Sequence, residues 1–392
     1  MEGKRLLRSM TLKNILSFGP EGQTLDFEPL NVLIGPNGSG KSNFIEIIGL
    51  LRSLPRDLSV PFREGGGITE WCWKGNDPLK SIFIETNYVA GFKHQIEIEA
   101  QGFGPHVVEE RINISDNEIN RTIIFEPDGK ELPDDPDGTS HFLHVTKRQL
   151  PISFKSGQSF LSLRAFIFKE QTIAHAVAEK LSAMQIYRKW VFGPGSKIRE
   201  PQKADLPSDF LTEDALNLGL VLNTLILDRR AKNSLLSNLR NLYHGALDIK
   251  IRIVSGYIEI LIEEENGHLI PATRLSDGTL RYLSLLAILC HPDPPPLLCI
   301  EEPELGLHPD IIPTIAKLLI DASKRTQLIV TTHSADLVSA LWEFPESVVV
   351  CQKGFDGETQ LKRLDPKRLE KWLERYSLGE LWLNGEIGGT RW

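Results

Sequence analysis

Residues 35–42 read Gly-Pro-Asn-Gly-Ser-Gly-Lys-Ser, a set of types and spacings suited to holding a chain of phosphates. Gly35, Asn37, Gly38, Ser39 and Gly40 would wrap backbone N–H groups around the phosphates, and Lys41 would reach the outer ones. The Ser42 hydroxyl would bind Mg²⁺, and Asn43 follows in a helix start whose positive end faces the charge. A second pattern, Leu297-Leu-Cys-Ile-Glu301-Glu302-Pro303, ends an apolar run on two adjacent carboxylates. Successive strand side chains point opposite ways, so the pair can divide the work: Glu301 towards Mg²⁺, Glu302 towards an attacking water. Alone, Glu-Glu-Pro would read as a solvated acidic turn. Behind a phosphate loop it reads as the acidic half of an ATPase site, with ATP and Mg²⁺ as the implied ligands.

These residues need elements to position them. Leu6 to Leu12 and Gln23 to Phe27 read as short strands, and the apolar run Leu30 to Ile34 as a buried parallel strand ending at the glycine turn. From Lys41 the pattern turns helical, with Phe44, Ile45, Ile48 and Leu51 on one face. Residues 80 to 125 alternate apolar and polar, as in Ile96, Ile98 and Ala100 against Glu97, Glu99 and Gln101, and predict an antiparallel lobe. Glu126 to Gly138 has the composition of an exposed loop, its carboxylates solvated. Residues 160 to 245 read as mainly helical, with Leu211, Ala215, Leu218, Leu222 and Leu225 at heptad-like spacing but too few heptads for a coiled coil. Further on come a hairpin turning at Ser255-Gly256, a helix from Gly278, strands at Leu297–Ile300, Leu328–Thr331 and Ser347–Cys351, and helices after Pro309 and at Pro366–Tyr376. The chain's two ends are thus expected to share one sheet, with its middle inserted and no internal repeat.

Composition narrows the class. With 41% hydrophobic and 24% charged residues, the 392-residue chain has the balance of a globular protein. No membrane span or signal peptide is read, so a cytoplasmic location is expected. Cys72, Cys290, Cys299 and Cys351 form no C-x-x-C pair, against a zinc ribbon or disulfide framework. The net charge of −8 argues against a generally basic nucleic-acid coat, while leaving DNA permitted as a partner.

Taken in order, GPNGSGKS, LSDG (Leu275 to Gly278), LLCIEEPE (Leu297 to Glu304) and TTHS (Thr331 to Ser334) closely resemble the ABC-type ATPases of the SMC and RecF class. Within that class the chain looks most like the small AAA-type ATPases related to the OLD family of phage-defence proteins, and its ending, Leu378 to Trp392, looks typical of them. The fold implied is α/β: an ABC-type ATPase head with a mixed sheet around the phosphate loop, a strand-rich lobe and an inserted helical subdomain. The corresponding boundaries are 1–60 and 246–392 for the discontinuous core, which shares strands with the lobe at 61–150, and 151–245 for the helical insertion.

The resemblance also implies roles. Ser276 and Gly278 match the signature loop that contacts the γ-phosphate held by the opposite subunit, which implies a head-to-head homodimer, any higher assembly being left open. His333 matches the switch histidine, and Gln158 in Ser156-Gly-Gln-Ser-Phe looks like the glutamine placed between Mg²⁺ and the attacking water. Taken alone, these three segments would read as a helix cap, a structural histidine and a surface glutamine. Two positions depart from the pattern: Glu301 stands where an Asp is usual, and His308 stands where transporters and SMC proteins carry an Asp after the catalytic Glu.

Three functions follow: an ATP-driven dimeric clamp or sensor in DNA maintenance or anti-phage defence, an ATP-gated scaffold with little turnover, or a transporter subunit. The 260-residue interval from Lys41 to Glu301, about twice that expected of transporter subunits, speaks against the last. Full OLD-type proteins carry a TOPRIM nuclease after the ATPase, but only 58 residues follow Ser334, so a separate effector, nuclease or toxin, is expected.

Overall fold

Strands β1 (Leu7–Lys13) and β2 (Gln23–Asp26) pair antiparallel, and β3 (Leu30–Ile34) follows, buried at every position. This computed structural model describes residues 1–75, 81–102, 104–116, 119–127, 140–145, 148–153, 158–163, 173–188 and 190–389. Across the glycine turn, helix α1 (Lys41–Ser53) buries Phe44, Ile45, Ile48 and Leu51, the face that their spacing predicts.

Six antiparallel strands come next: β4 (Ser81–Tyr88), β5 (Phe92–Gln101), β6 (Gly104–Asp116), β7 (Ile119–Pro127), β8 (Ser140–Val145) and β9 (Arg148–Ser153). They form one eight-stranded sheet in the order β2-β1-β4-β5-β6-β7-β8-β9. Ile96 and Ile98 turn inward, as their alternation with glutamates requires. The opening strands therefore belong to the lobe's sheet rather than to the sheet of the phosphate loop. Met10 and Leu12 on β1 share a hydrophobic cluster with Ile82 and Ile84 on β4 and with α1, which fixes that choice. From residue 128 the acidic loop lies outside the described residues.

The central sheet draws on β3 and on β10 (Gln185–Tyr187), β15 (Leu297–Glu301), β16 (Gln327–Thr331), β17 (Val348–Lys353) and β18 (Thr359–Arg363). Its order is β10-β15-β16-β3-β17-β18, parallel except for β18. Its strands wall two clusters at once. Val32, Ile300 and Val330 face one, with the helices Leu218–Leu227, Arg229–Leu242, Asp277–Leu289 and Ile312–Ser323, while Leu33, Cys299 and Ile329 face the other, with α1 and the lobe. A third sheet holds β11 (Gln202–Lys203), β12 (Ala246–Val254), β13 (Tyr257–Glu264) and β14 (Leu269–Pro271). The β12–β13 hairpin turns where expected, with φ of 51° at Ser255 and 80° at Gly256, the positive pair of a hairpin's mirror-image turn.

Within the stretch read as mainly helical, β10 adds an edge strand beside β15. Leu211, Ala215, Leu218, Leu222 and Leu225 are all buried, yet the helix begins only at Leu218. Asn217 explains the difference: its buried amide donates to Pro207 O (2.7 Å) and Phe210 O (2.9 Å) and accepts from Thr212 N (2.9 Å). These bonds hold residues 207–217 as a loop, with Ala215 in the left-handed region. Among the described residues no helix is long and apolar enough to cross a membrane.

Candidate active site

Three neighbouring parallel strands bring the chemical residues to one edge. β15 pairs with β16 and β16 with β3, so their carboxyl ends form the crevice where ligands of open α/β sheets collect. β15 delivers Glu301, which lies in register with Thr331 on β16. Glu302 follows with φ of 46° and donates its N–H to Thr331 O at 2.9 Å. That left-handed backbone turns its side chain out of the strand's alternation and places Oε1 3.8 Å from His333 Nε2. On the β3 side, Thr332 N donates to Leu33 O at 3.2 Å, which sets His333 beside the phosphate-loop strand.

The loop itself is shaped by close approaches. A Cβ on Gly35 would lie 2.1 Å from Cys351 O, and one on Gly40 would lie 2.1 Å from Thr359 Oγ1. Gly40 is the N-cap of α1 with φ of 103° and offers no side-chain bond, so the cap leaves the leading N–H groups of α1 for another acceptor. Lys41 Nζ donates to Gly35 O (2.7 Å) and Pro36 O (3.0 Å), and burial pulls its pKa below the ordinary lysine value. Asn37, Gly38 and Ser42 are exposed, Asn43 is half-buried, and Ser39 is buried with its Oγ lacking a hydrogen-bond partner among the described residues.

Two residues without an assigned role join this edge. Arg188, just past β10, donates through Nε to Glu301 Oε1 (2.8 Å) and through Nη2 to Ser42 O (3.0 Å). Burial raises the pKa of Glu301, and Arg188 works against that rise. Glu304 accepts on Oε1 from Thr332 Oγ1 (2.5 Å) and His333 N (3.1 Å), thereby holding the loop that carries His333. Glu304 was visible in the sequence as part of the Glu-Glu-Pro-Glu run. Arg188 gave no signal, being 113 positions from Glu301.

The described contacts of the other expected residues run to their own neighbourhoods. Ser276 caps the helix Asp277–Leu289, its Oγ accepting from Thr279 N at 3.0 Å. A Cβ on Gly278 would lie 3.3 Å from Gly306 O, so the turn after the carboxylates packs on the start of this helix. Arg199 pins the turn before it, donating to Phe192 O (2.8 Å) and Leu275 O (2.6 Å) and pairing with Asp277. Gln158 precedes Ser159, whose hydroxyl donates to Glu110 on β6 (2.7 Å), and Glu110 also meets His94 Nε2 on β5 (2.7 Å). This segment is thus anchored to the strand-rich sheet. His308 accepts from Asp310 N at 3.3 Å and caps the turn Pro309–Ile311.

The residues present fit a nucleotide with Mg²⁺. An uncapped helix start faces the glycine loop, and one internal cation already spans Glu301 and the Ser42 backbone.

A glycine loop after β3, paired carboxylates at the end of β15 and a strand-rich lobe together give the fold of an SMC-type head domain. Two solved structures share this fold. The SmcHead bound to the C-winged helix domain of ScpA is 15% identical, with a TM-score of 0.54 over 93% of this chain and 99% of that one. The Smc head domain with an extended coiled coil, bound to the C-terminal domain of ScpA and derived from Pyrococcus furiosus, is 12% identical, with a TM-score of 0.52 over 94% and 98%. The family model described as "AAA domain, putative AbiEii toxin, Type IV TA system" matches residues 30–339, and the chain belongs to that family. No curated protein matches the sequence.

Proposed function

We propose that the chain binds ATP with Mg²⁺ and hydrolyses it in a composite site that two copies complete. The observation that carries this reading is the meeting of the phosphate loop, Glu301, Glu302 and His333 at the ends of three adjacent parallel strands. Backbone N–H groups from Gly35, Asn37, Gly38, Ser39, Gly40 and the α1 start, which includes Asn43, receive the phosphates, and Lys41 leaves its two carbonyl partners to reach the outer ones. Ser42 and Glu301 would hold Mg²⁺, with Gln158 bridging to the water. The ion, when bound, supplies neutralisation of phosphate charge. Glu302 takes a proton from the attacking water and His333 steadies the γ-phosphate. Ser276 and Gly278 would meet the γ-phosphate of the opposite copy. In support, their described contacts run to Thr279 and Gly306 rather than to the chain's own phosphate loop.

The setting we favour is a clamp or sensor of the OLD-like kind, serving DNA maintenance or anti-phage defence beside a separate effector protein. The family description, which names a toxin system, supports it, as do SMC heads solved with a bound ScpA domain. A second reading, an ATP-gated scaffold with little turnover, is favoured by the ion pair that engages Glu301.

Steady-state turnover and mass in solution, with and without ATP, separate the two. Glu302→Gln is expected to lose turnover about 10²–10⁴-fold while accumulating an ATP-dependent dimer, and Lys41→Ala to do neither. A wild type that binds ATP without hydrolysis or change of mass would leave the scaffold in front.

A further inference from the structure

A single guanidinium touches both residues proposed to hold the metal. Arg188 Nε lies 2.8 Å from Glu301 Oε1, and Nη2 lies 3.0 Å from the carbonyl oxygen of Ser42. The Glu301 side chain is only 18% exposed. A carboxylate so placed needs a partner cation, and charge-assisted bonds of this kind are among the stronger ones. A divalent cation bound by Glu301 would compete with Arg188 for the Glu301 carboxylate and its charge.

The molecule also offers Arg188 somewhere to go. Beside α1 lies an open pocket of about 450 Å³ lined by Arg188, Arg52, Glu46, Glu64, Glu213 and Asp214. Arg52 is paired with Glu213, whereas Glu46 and Glu64 pair with no basic group among the described residues. Glu46 stands one helical turn beyond Ser42 on α1, close enough for its charge to be felt at Glu301.

We propose that Arg188 is a built-in counter-cation of the metal site, which neutralises Glu301 before the metal arrives and swings to Glu46 when the metal displaces it. This rests on the reading that Ser42 and Glu301 hold the metal. Arg188 is then a positioning residue that acts through Glu301. Its movement releases the bond between β10 and the start of α1, so metal loading is felt at the edge of the central sheet.

The test is a Mn²⁺ titration read by electron paramagnetic resonance, with the full chain at saturating non-hydrolysable ATP analogue. Arg188→Met is expected to load at about tenfold lower Mn²⁺ than wild type, the value of one charged hydrogen bond. Glu46→Gln, which removes the receiving carboxylate, is expected to shift loading to higher Mn²⁺. In the double variant the Glu46 effect should vanish. Without nucleotide, Arg188→Met should melt at a lower temperature than wild type and recover more of the loss on adding Mn²⁺. Loading unchanged or weakened in Arg188→Met overturns the inference while leaving the metal site intact. A wild type that holds no Mn²⁺ with the nucleotide overturns the underlying reading instead.

Discussion

Glu304 shows how one carboxylate oxygen can organise the loop that carries His333. Its Oε1 takes both the Thr332 hydroxyl and the His333 N–H, while its Oε2 is buried without a hydrogen-bond partner among the described residues. Burial is the largest influence on this carboxyl and raises its pKa above the usual value of 4.5. The folded state therefore holds the proton more tightly than the unfolded one, and this contribution to stability is present at low pH and lost as pH rises through the raised pKa. Glu304→Gln keeps an acceptor for Thr332 and His333 and removes the charge. Thermal melts should show the variant gaining on wild type as pH climbs from 4 to 7, and a pH-independent difference would contradict this account. Glu304→Ala should lower turnover about tenfold, the value of one hydrogen bond to a charged group, with little change in ATP affinity, because it loosens the His333 loop and leaves the phosphate loop alone.

The helix Asp277–Leu289 starts at a turn fixed from outside, and this bears on which contacts a second copy can make. Arg199 donates to Leu275 O at 2.6 Å and pairs with Asp277, so the N–H groups after Ser276 are held in one direction. Arg199→Ala should weaken ATP-dependent association about tenfold, the loss of one charged hydrogen bond, yet leave each monomer's nucleotide affinity unchanged. Sedimentation with parallel nucleotide titration checks it, and equal losses in both would place the turn in the chain's own site. At this scale much was legible from sequence. β15 and β16 carry apolar runs that end in a polar residue, β3 runs apolar from Val32 to Ile34 into the glycine turn, and Ser255-Gly256 is a turn that a hairpin demands. What could not be read were long-range pins from short elements. β10 has three residues, and Arg199 meets Asp277 across 78 positions, so no local periodicity announces either. The loop before Leu218 was missed because Asn217 stops the helix with side-chain bonds that a count of apolar positions does not see.

Across the whole molecule, the central sheet is a shared wall. Val32, Ile300 and Val330 belong to the cluster on one face, Leu33, Cys299 and Ile329 to the cluster on the other, and successive residues of one strand serve both. The lobe is fastened to this arrangement through β1 and α1, whose buried residues share one cluster with the lobe and with Leu33, Cys299 and Ile329. Neither cluster can come apart without exposing the backs of strands that the other needs, so the two stand or fall as one cooperative unit despite the number of elements that the chain threads between them. Scanning calorimetry should register melting of the central sheet as a single heat-absorption peak whose calorimetric and van't Hoff enthalpies agree. Two resolved peaks, each removing one face of the sheet, would show that the strands do not transmit the loss of one cluster to the other.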